Sequence, residues 1–254
     1  MKKEVRYYSS LNDDFEASAN QDYVLSDDYV WIREGIISKA ISAFVYLIAL
    51  VFSWIYCRLF LHMHIKNASV LRKAAKTGGF VYANHTQPVG DVFIPAHTCF
   101  PKRIYTIVSP ANYGIPVIGK LLPYLGALPI PKSTNGIKKL YGAVSKRVEQ
   151  KNFVVIYPEA HVWKYCNFIR PFSSISFKYP VKCRKPVFAL TVTYVKRRFL
   201  KKPKMIVYVD GPFCSNDALS QKDQADFLRN AVYEAMQKRS ALGNYEYISY
   251  KPKK

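Results

Sequence analysis

Short apolar runs alternate with amphipathic segments along most of the chain, and this alternation predicts its architecture. Six apolar runs end in polar or turn-forming residues and have the length and composition of buried strands. Three further segments are typical of helices. Because strands and helices alternate, we predict an α/β fold with a largely parallel sheet flanked by helices. The predicted strands cover residues 80–83, 103–109, 127–130, 153–157, 187–194 and 205–209, and the predicted helices cover 116–124, 136–150 and 220–240.

A longer apolar segment precedes this pattern. Residues 40–57 contain no charged side chain, and Lys39 and Arg58 bracket them. A helix of this length extends roughly 27 Å, close to the ~30 Å hydrocarbon core of a bilayer. Trp54 and Tyr56, near its end, are typical of a membrane interface. We therefore predict a membrane-embedded helix, with the core helix of a soluble domain as the alternative.

The composition divides the chain into three parts. Residues 1–36 are a polar N-terminal extension, residues 37–65 contain the membrane-embedded helix, and residues 66–254 form the main domain. Bases follow the helix closely, and by the positive-inside rule they place the main domain on the cytoplasmic side. These bases are Lys66, Arg72, Lys73 and Lys76.

Charge narrows the class of partner. The formal net charge is +21, from 38 Lys and Arg against 17 Asp and Glu. Residues 1–39 sum to −3, so all of the excess positive charge lies after them. Such a surface attracts phosphate, in nucleic acid or in anionic lipid headgroups. The sequence shows no nucleic-acid-binding module, so we expect membrane lipids and not nucleic acid as the partner.

The cysteines favour neither a metal site nor a disulfide framework. There are five, and none belongs to a CxxC pair. We expect reduced thiols in a cytoplasm-facing domain, and neither a metal nor a bound cofactor. A Cys/His hydrolase that uses Cys99 or Cys166 is an alternative without local support.

The stretch GGFVYANHTQPVGD, residues 78–91, places a candidate base at the end of a predicted strand. Asp91 follows His85 by six residues, across Pro88 and Gly90, which turn the chain back. A carboxylate bonded to one imidazole nitrogen leaves the other nitrogen free to accept a proton. The pair therefore has the chemistry of a general base that needs no protein nucleophile. The alternative is a loop histidine and a capping aspartate that do not meet.

A second polar group follows another predicted strand. Pro158 and Glu159 come directly after residues 153–157. A strand that stops there presents a carboxylate at the carboxyl edge of the sheet, where α/β folds bind ligands. A solvated glutamate in a turn is the alternative, but two such strand ends in one chain favour a site.

Together these blocks resemble the signature of the glycerolipid acyltransferases related to 1-acylglycerol-3-phosphate acyltransferase. That signature has a sequence like NHxxxxD, then a strand ending FPEGTR, then a strand rich in valine and proline. The similarity covers residues 71–194, about half of the chain. The matching stretches are Asn84-His85 with Asp91, Leu125–Ile130, Tyr157-Pro158-Glu159 and Lys185–Leu190.

The resemblance implies an O-acyltransferase of phospholipid biosynthesis or remodelling, with residues 66–254 as its catalytic domain. It would move a fatty acyl group from acyl-CoA or acyl-carrier protein, a co-substrate, to a hydroxyl of a lysophospholipid or related glycerolipid. His85 would be the general base, and Asp91 would orient it. The implied substrate-binding residues are Asn84, Lys132, Pro158, Glu159 and Arg170.

Three departures from the family pattern change this expectation. Five residues separate His85 from Asp91, where the family usually has four. The segment 160–162 reads Ala-His-Val, where the family has glycine, threonine and arginine, and Lys132 stands near the place of another family arginine. Arg170 is the candidate replacement as a phosphate contact. A catalytically altered relative that binds lipid, and a basic nucleic-acid-binding protein, are the alternatives.

Overall fold

A seven-stranded sheet forms the centre of the molecule. The structure is a computed structural model that describes residues 4–16, 22–26 and 28–253. The strands are β1 (Glu4–Tyr8), β2 (His64–Lys66), β3 (Gly79–Ala83), β4 (Ile104–Val108), β5 (Ala127–Pro129), β6 (Phe153–Ile156), β7 (Val187–Val195), β8 (Lys204–Phe213) and β9 (Ile248–Pro252). The helices are α1 (Ile36–Ile55), α2 (Ser69–Lys73), α3 (Gly90–Thr98), α4 (Ile118–Leu125), α5 (Thr134–Glu149), α6 (Lys178–Cys183) and α7 (Gln221–Ser240).

The sheet is largely parallel, as predicted. Its strand order is β2-β8-β7-β3-β6-β4-β5. Strands β7, β3, β6, β4 and β5 run in one direction, while β8 is antiparallel to β7 and β2 is parallel to β8. The carboxyl ends of five strands therefore share one edge, which we call the carboxyl edge.

Helices cover both faces of the sheet, which confirms the predicted α/β class. On one face, the end of α1 packs with α2 and α3 against residues such as Val81 and Val155. On the other face, α5, α6 and α7 cover residues such as Tyr82 and Val154. Adjacent strand residues point to opposite faces, so a continuous apolar run fills both cores.

The six predicted strands are confirmed as β3 to β8, and the three predicted helices as α4, α5 and α7. Ser220 caps α7, because its Oγ accepts from the Asp223 N–H at 3.2 Å and donates to the Asp223 carboxylate at 2.6 Å. The sequence did not predict β1, β2, β9, α2, α3 or α6.

The described part of the N-terminal extension packs on the main domain. Strand β1 pairs in parallel with β9 in a separate two-stranded sheet. The Trp163 indole N–H donates to the Asp13 carbonyl at 2.7 Å, and the Trp31 indole N–H donates to the Pro129 carbonyl at 3.1 Å. This extension is therefore part of the fold.

Helix α1 packs against the domain with one face and exposes apolar residues on the other. With the π-helical turn Tyr56–Phe60 that continues it, the helix is long and apolar enough to cross a membrane. Its packed face is fastened by hydrogen bonds along its length. The Ser42 hydroxyl donates to Tyr124, the Tyr46 hydroxyl accepts from Ile104, and the Ser53 hydroxyl donates to Phe93. Its exposed apolar residues include Ile37, Phe44, Leu47, Val51, Phe52 and Trp54.

Candidate active site

Two neighbouring strands bring the predicted site residues together. Strands β3 and β6 pair in parallel, with Tyr82 opposite Ile156. Their carboxyl ends therefore adjoin at the carboxyl edge, and the residues that follow them meet there. The backbone N–H of His85 donates to the Glu159 carboxylate at 3.1 Å, which joins the two loops directly.

His85 and Asp91 form the predicted pair. The distance between His85 Nδ1 and Asp91 Oδ2 is 2.6 Å. The same carboxylate oxygen accepts the Gln87 N–H at 2.9 Å, so the intervening loop closes on it. Among the described residues, His85 Nε2 has no hydrogen-bond partner, and the side chain is 20% exposed. With Nδ1 donating to Asp91, Nε2 presents its lone pair outward and can accept a proton.

The Asp91 side chain is buried, and the residue lies in the first turn of helix α3. Burial raises the pKa of the Asp91 carboxyl above its ordinary value, and the contact with His85 opposes that rise. The segment after Asp91, where we expect donors for an oxyanion, is helical. Its first N–H groups are already used: Asp91 N–H donates to Gln87 and Val92 N–H to Val89. The donors for an oxyanion stay a prediction.

Tyr157 contacts both members of the pair, and the sequence predicted no such role for this residue of the Tyr157-Pro158-Glu159 block. Its ring stacks on the His85 imidazole, with a centroid distance of 4.4 Å and an interplanar angle of 25°. Its hydroxyl donates to the Asp91 carbonyl at 2.5 Å. That carbonyl would accept from the N–H of residue 95 in a regular helix, but residue 95 is proline. A phenol in place of the family's phenylalanine was the available signal.

Glu159 and Arg170 form a buried ion pair. Arg170 Nη2 lies 3.1 Å from Glu159 Oε2, and the Arg170 backbone N–H donates to Oε1 at 2.9 Å. The guanidinium also donates to the carbonyls of His161 and Leu11, and it lies 4.8 Å from the Trp163 ring centroid. Burial raises the pKa of Glu159, and the charge of Arg170 opposes the rise. Their predicted contact with a substrate stays a prediction.

The other predicted binding residues lie at the same edge. The Asn84 amide bonds the main chain of Val192 twice, at 3.0 and 2.7 Å, and so ties β3 to β7. Pro158 is half-buried in the turn after β6. Lys132 is exposed after β5, and at about 4.8 Å per strand this is roughly 14 Å from β3.

Lys132 lines a small cavity beside the N-terminal extension. The cavity has a volume of about 130 Å³. Ser133 and Gly136 at the start of α5 form one wall, and residues 23–26 form another. Across the described residues, no group of three or more His, Cys, Asp or Glu side chains could hold a metal ion.

The fold is similar to that of a solved enzyme structure. Comparison with solved structures found the 1-acyl-sn-glycerophosphate (LPA) acyltransferase PlsC from Thermotoga maritima, with a TM-score of 0.53 over 81% of this chain and 78% of that chain. The chain has the PlsC fold. The two sequences are 16% identical, so the match establishes the fold alone. No family model and no curated protein matches the sequence. The residue assignments on this PlsC fold therefore rest on the geometry above.

Proposed function

We propose that the protein is an O-acyltransferase that acylates a hydroxyl of a lysophospholipid or a related glycerolipid. One observation carries the proposal: the His85–Asp91 pair, 2.6 Å apart, lies at the carboxyl edge of a PlsC fold, and Nε2 of His85 has no hydrogen-bond partner among the described residues. The donor is acyl-CoA or acyl-carrier protein, whose thioester supplies the acyl group. No further cofactor is needed for this reaction.

His85 acts as the general base in this proposal. Its Nε2 takes the proton of the acceptor hydroxyl as that oxygen attacks the thioester carbonyl. The tetrahedral intermediate collapses and expels the thiolate, which takes the proton back from the imidazolium. Asp91 stabilises the imidazolium and keeps Nδ1 protonated. No acyl-enzyme forms, so the scheme requires no protein nucleophile.

Glu159 and Arg170 act on His85 through the backbone in this proposal. The Glu159 carboxylate accepts the His85 N–H, and Arg170 balances its charge in the apolar interior. We assign them a positioning role and reserve phosphate contact for Lys132, which is exposed at the same edge. Lys132→Ala should raise KM for a phosphate-bearing acceptor more than it lowers kcat.

The apolar face of α1 gives the enzyme access to insoluble substrates. The hydroxyls of Ser42 and Ser53 form hydrogen bonds that fasten α1 to the domain. We therefore propose that α1 lies in one leaflet and does not cross the bilayer. The high positive charge favours an anionic cytoplasmic leaflet. High salt should loosen the charge contacts, whereas only detergent should release the buried face.

The decisive experiment is thiol release from acyl-CoA and acyl-carrier-protein donors by the purified protein in lipid nanodiscs. Lysophosphatidic acid, other lysophospholipids and no acceptor are compared. His85→Ala should lower turnover by roughly 10²–10⁴-fold, because the base is lost. His64→Ala, at an exposed position of β2, is the matched control and should retain activity.

Each other outcome points elsewhere. Release without an acceptor would indicate a thioesterase. Full activity in His85→Ala would contradict the mechanism. If no donor gives thiol release, the result would favour a relative that binds lipid without transferring acyl groups.

A further inference from the structure

The connection between β7 and β8 concentrates positive charge around two exposed apolar residues. Residues 196–204, which we call the basic hairpin, read KRRFLKKPK and contain six bases and no acid. At its tip, the side chains of Phe199 and Leu200 are 85% and 56% exposed. Large apolar residues at such exposure, rimmed by charge, indicate a contact surface.

The hairpin is an ordered projection. The Arg197 guanidinium donates to the Pro203 carbonyl at 3.3 Å and closes the loop. The Tyr245 hydroxyl donates to the Lys201 carbonyl at 3.1 Å, and the Lys196 N–H donates to Asn244 at 3.0 Å. These hydrogen bonds fix the residues on both sides of Phe199 and Leu200, so the tip is held in a defined position.

The hairpin lies at the carboxyl edge of the sheet. Leu190 of β7 pairs with Ala83 at the end of β3, two residues before His85. Strand β7 continues five residues further, to Val195, which is roughly 16 Å at 3.3 Å per residue. The tip therefore projects past the edge on which His85 lies.

The hairpin also adjoins the apolar end of α1. Strand β2 begins at His64, four residues after the π-helical turn ends at Phe60, and it pairs with β8 from Ile206. Phe60 is 63% exposed. His62 lies between Phe60 and β2. Slight burial, and then the positive charge of the nearby Arg197, lower the pKa of His62, which places the hairpin close to this segment.

We propose that the basic hairpin inserts Phe199 and Leu200 into an anionic bilayer while its bases contact lipid phosphates. This rests on the proposed docking of α1 in a leaflet. The two contacts together turn the carboxyl edge, with His85, towards the lipid surface. Charge alone would also suit an acidic acyl-carrier protein, but an apolar tip beside the apolar end of α1 favours lipid.

The first test measures insertion of the tip in the full chain. Phe199→Cys, in a Cys183→Ser/Cys214→Ser background, carries an environment-sensitive fluorophore. Ala218→Cys, in the exposed loop after β8 at the opposite edge, is the labelled control. Vesicles of phosphatidylcholine, and of equal parts phosphatidylcholine and phosphatidylglycerol, are added. We expect a blue shift at position 199 on the anionic vesicles and none at position 218.

The second test separates specific from general charge. One variant changes three bases of the hairpin to Gln together: Lys196, Arg198 and Lys202. The control changes three bases to Gln on α5 and α7, which cover the face of the sheet away from α1: Lys138, Lys222 and Lys238. At about fivefold per base, the hairpin triple should lose on the order of 100-fold in partition onto anionic vesicles. The control triple should lose much less, and neutral vesicles should not discriminate between the two.

The remaining outcomes overturn the proposal in distinguishable ways. Two results would refute the hairpin contact and leave the proposed docking of α1 intact. One is an equal loss of vesicle partition in the two triple variants, and the other is no fluorescence shift at position 199 when the protein is bound to vesicles. A label that responds to acyl-carrier protein but not to vesicles would assign the hairpin to that protein. Absence of all vesicle binding would refute α1 docking and the hairpin together, and acyl transfer in detergent would still be measurable.

Discussion

The hydroxyl of Tyr157 takes the place of the N–H that Pro95 lacks. In a regular helix the N–H of residue 95 would donate to the Asp91 carbonyl. Here the Tyr157 hydroxyl donates to that carbonyl instead, at 2.5 Å. The same ring stacks on His85. One side chain therefore fixes the first turn of α3, and with it the carboxylate that orients the proposed base.

Tyr157→Phe should cost about 1–3 kcal/mol in free energy of unfolding, because it leaves a buried carbonyl without a donor. Pro95→Ala restores an N–H, so the same change should cost clearly less in that background. Denaturant unfolding of the double-mutant cycle measures this coupling. Tyr82→Phe is the control, because its hydroxyl serves the Ser176 carbonyl at 2.9 Å and should show no coupling to residue 95. If Tyr157→Phe lowers the free energy of unfolding equally in the wild-type and Pro95→Ala proteins, the Tyr157 hydroxyl does not replace the missing N–H of residue 95.

Removing Arg170 should be costly and pH-dependent. Arg170→Met leaves Glu159 buried without its partner, at a cost of about 3–5 kcal/mol. The pKa of Glu159 is already raised by burial and then rises further, so folding favours the protonated carboxyl. Stability then falls as pH rises above the unfolded pKa, and the deficit should be larger near about pH 8 than near about pH 5.

The double variant Glu159→Gln/Arg170→Met is the control for that result. It removes both charges, so it should recover stability and lose the pH dependence. Thermal unfolding across pH measures both variants. A deficit in Arg170→Met that does not change with pH would contradict a charged Glu159 in the folded state.

Ala160 adopts a backbone conformation that favours glycine. Its φ is +64°, and it occupies the position where the family pattern has glycine. Ala160→Gly should therefore raise the free energy of unfolding by about 1 kcal/mol. Ala235→Gly, inside α7, is the opposite control and should lower it by about 1 kcal/mol. Denaturant midpoints of the two variants should move in opposite directions.

The two faces of α1 should respond differently to substitution. Phe44→Ser/Val51→Ser on the exposed face should weaken binding to vesicles by on the order of 100-fold, because two large apolar side chains no longer enter lipid. The free energy of unfolding should change little. Tyr46→Phe on the packed face removes the acceptor of the Ile104 N–H, and it should lower stability by about 1 kcal/mol without affecting vesicle binding. Reversed effects would mean that the faces are misassigned.

Local pattern was enough to predict the sheet and the pair at its edge. Apolar runs such as 153–157 and 187–194 are continuous because both faces of the sheet are covered, so they stand out in sequence. His85 and Asp91 are six residues apart across a turn, and short-range geometry brings them together. The interaction of Glu159 with the His85 backbone needed the pairing of β3 with β6, which lies beyond local pattern.

The elements that were missed depend on distant partners. Strand β1 is half polar, and its partner β9 lies about 240 residues away. Helix α3 carries Pro95 and starts at Gly90, which both count against a helix. The charge of Arg170 is visible in sequence and predicts a phosphate contact, which stays a prediction, whereas its burial against Glu159 and Trp163 is a tertiary property that the sequence does not show.

The pairing of β1 with β9 has a consequence for the order of folding. The two strands are about 240 residues apart in sequence, so their pairing closes a very long loop. The carbonyls of Leu11 and Asp13, which contact Arg170 and Trp163, follow β1 directly. The contacts of this segment beside the proposed base therefore belong to pairings between residues far apart in sequence, and we expect them to form late in folding, after the central sheet.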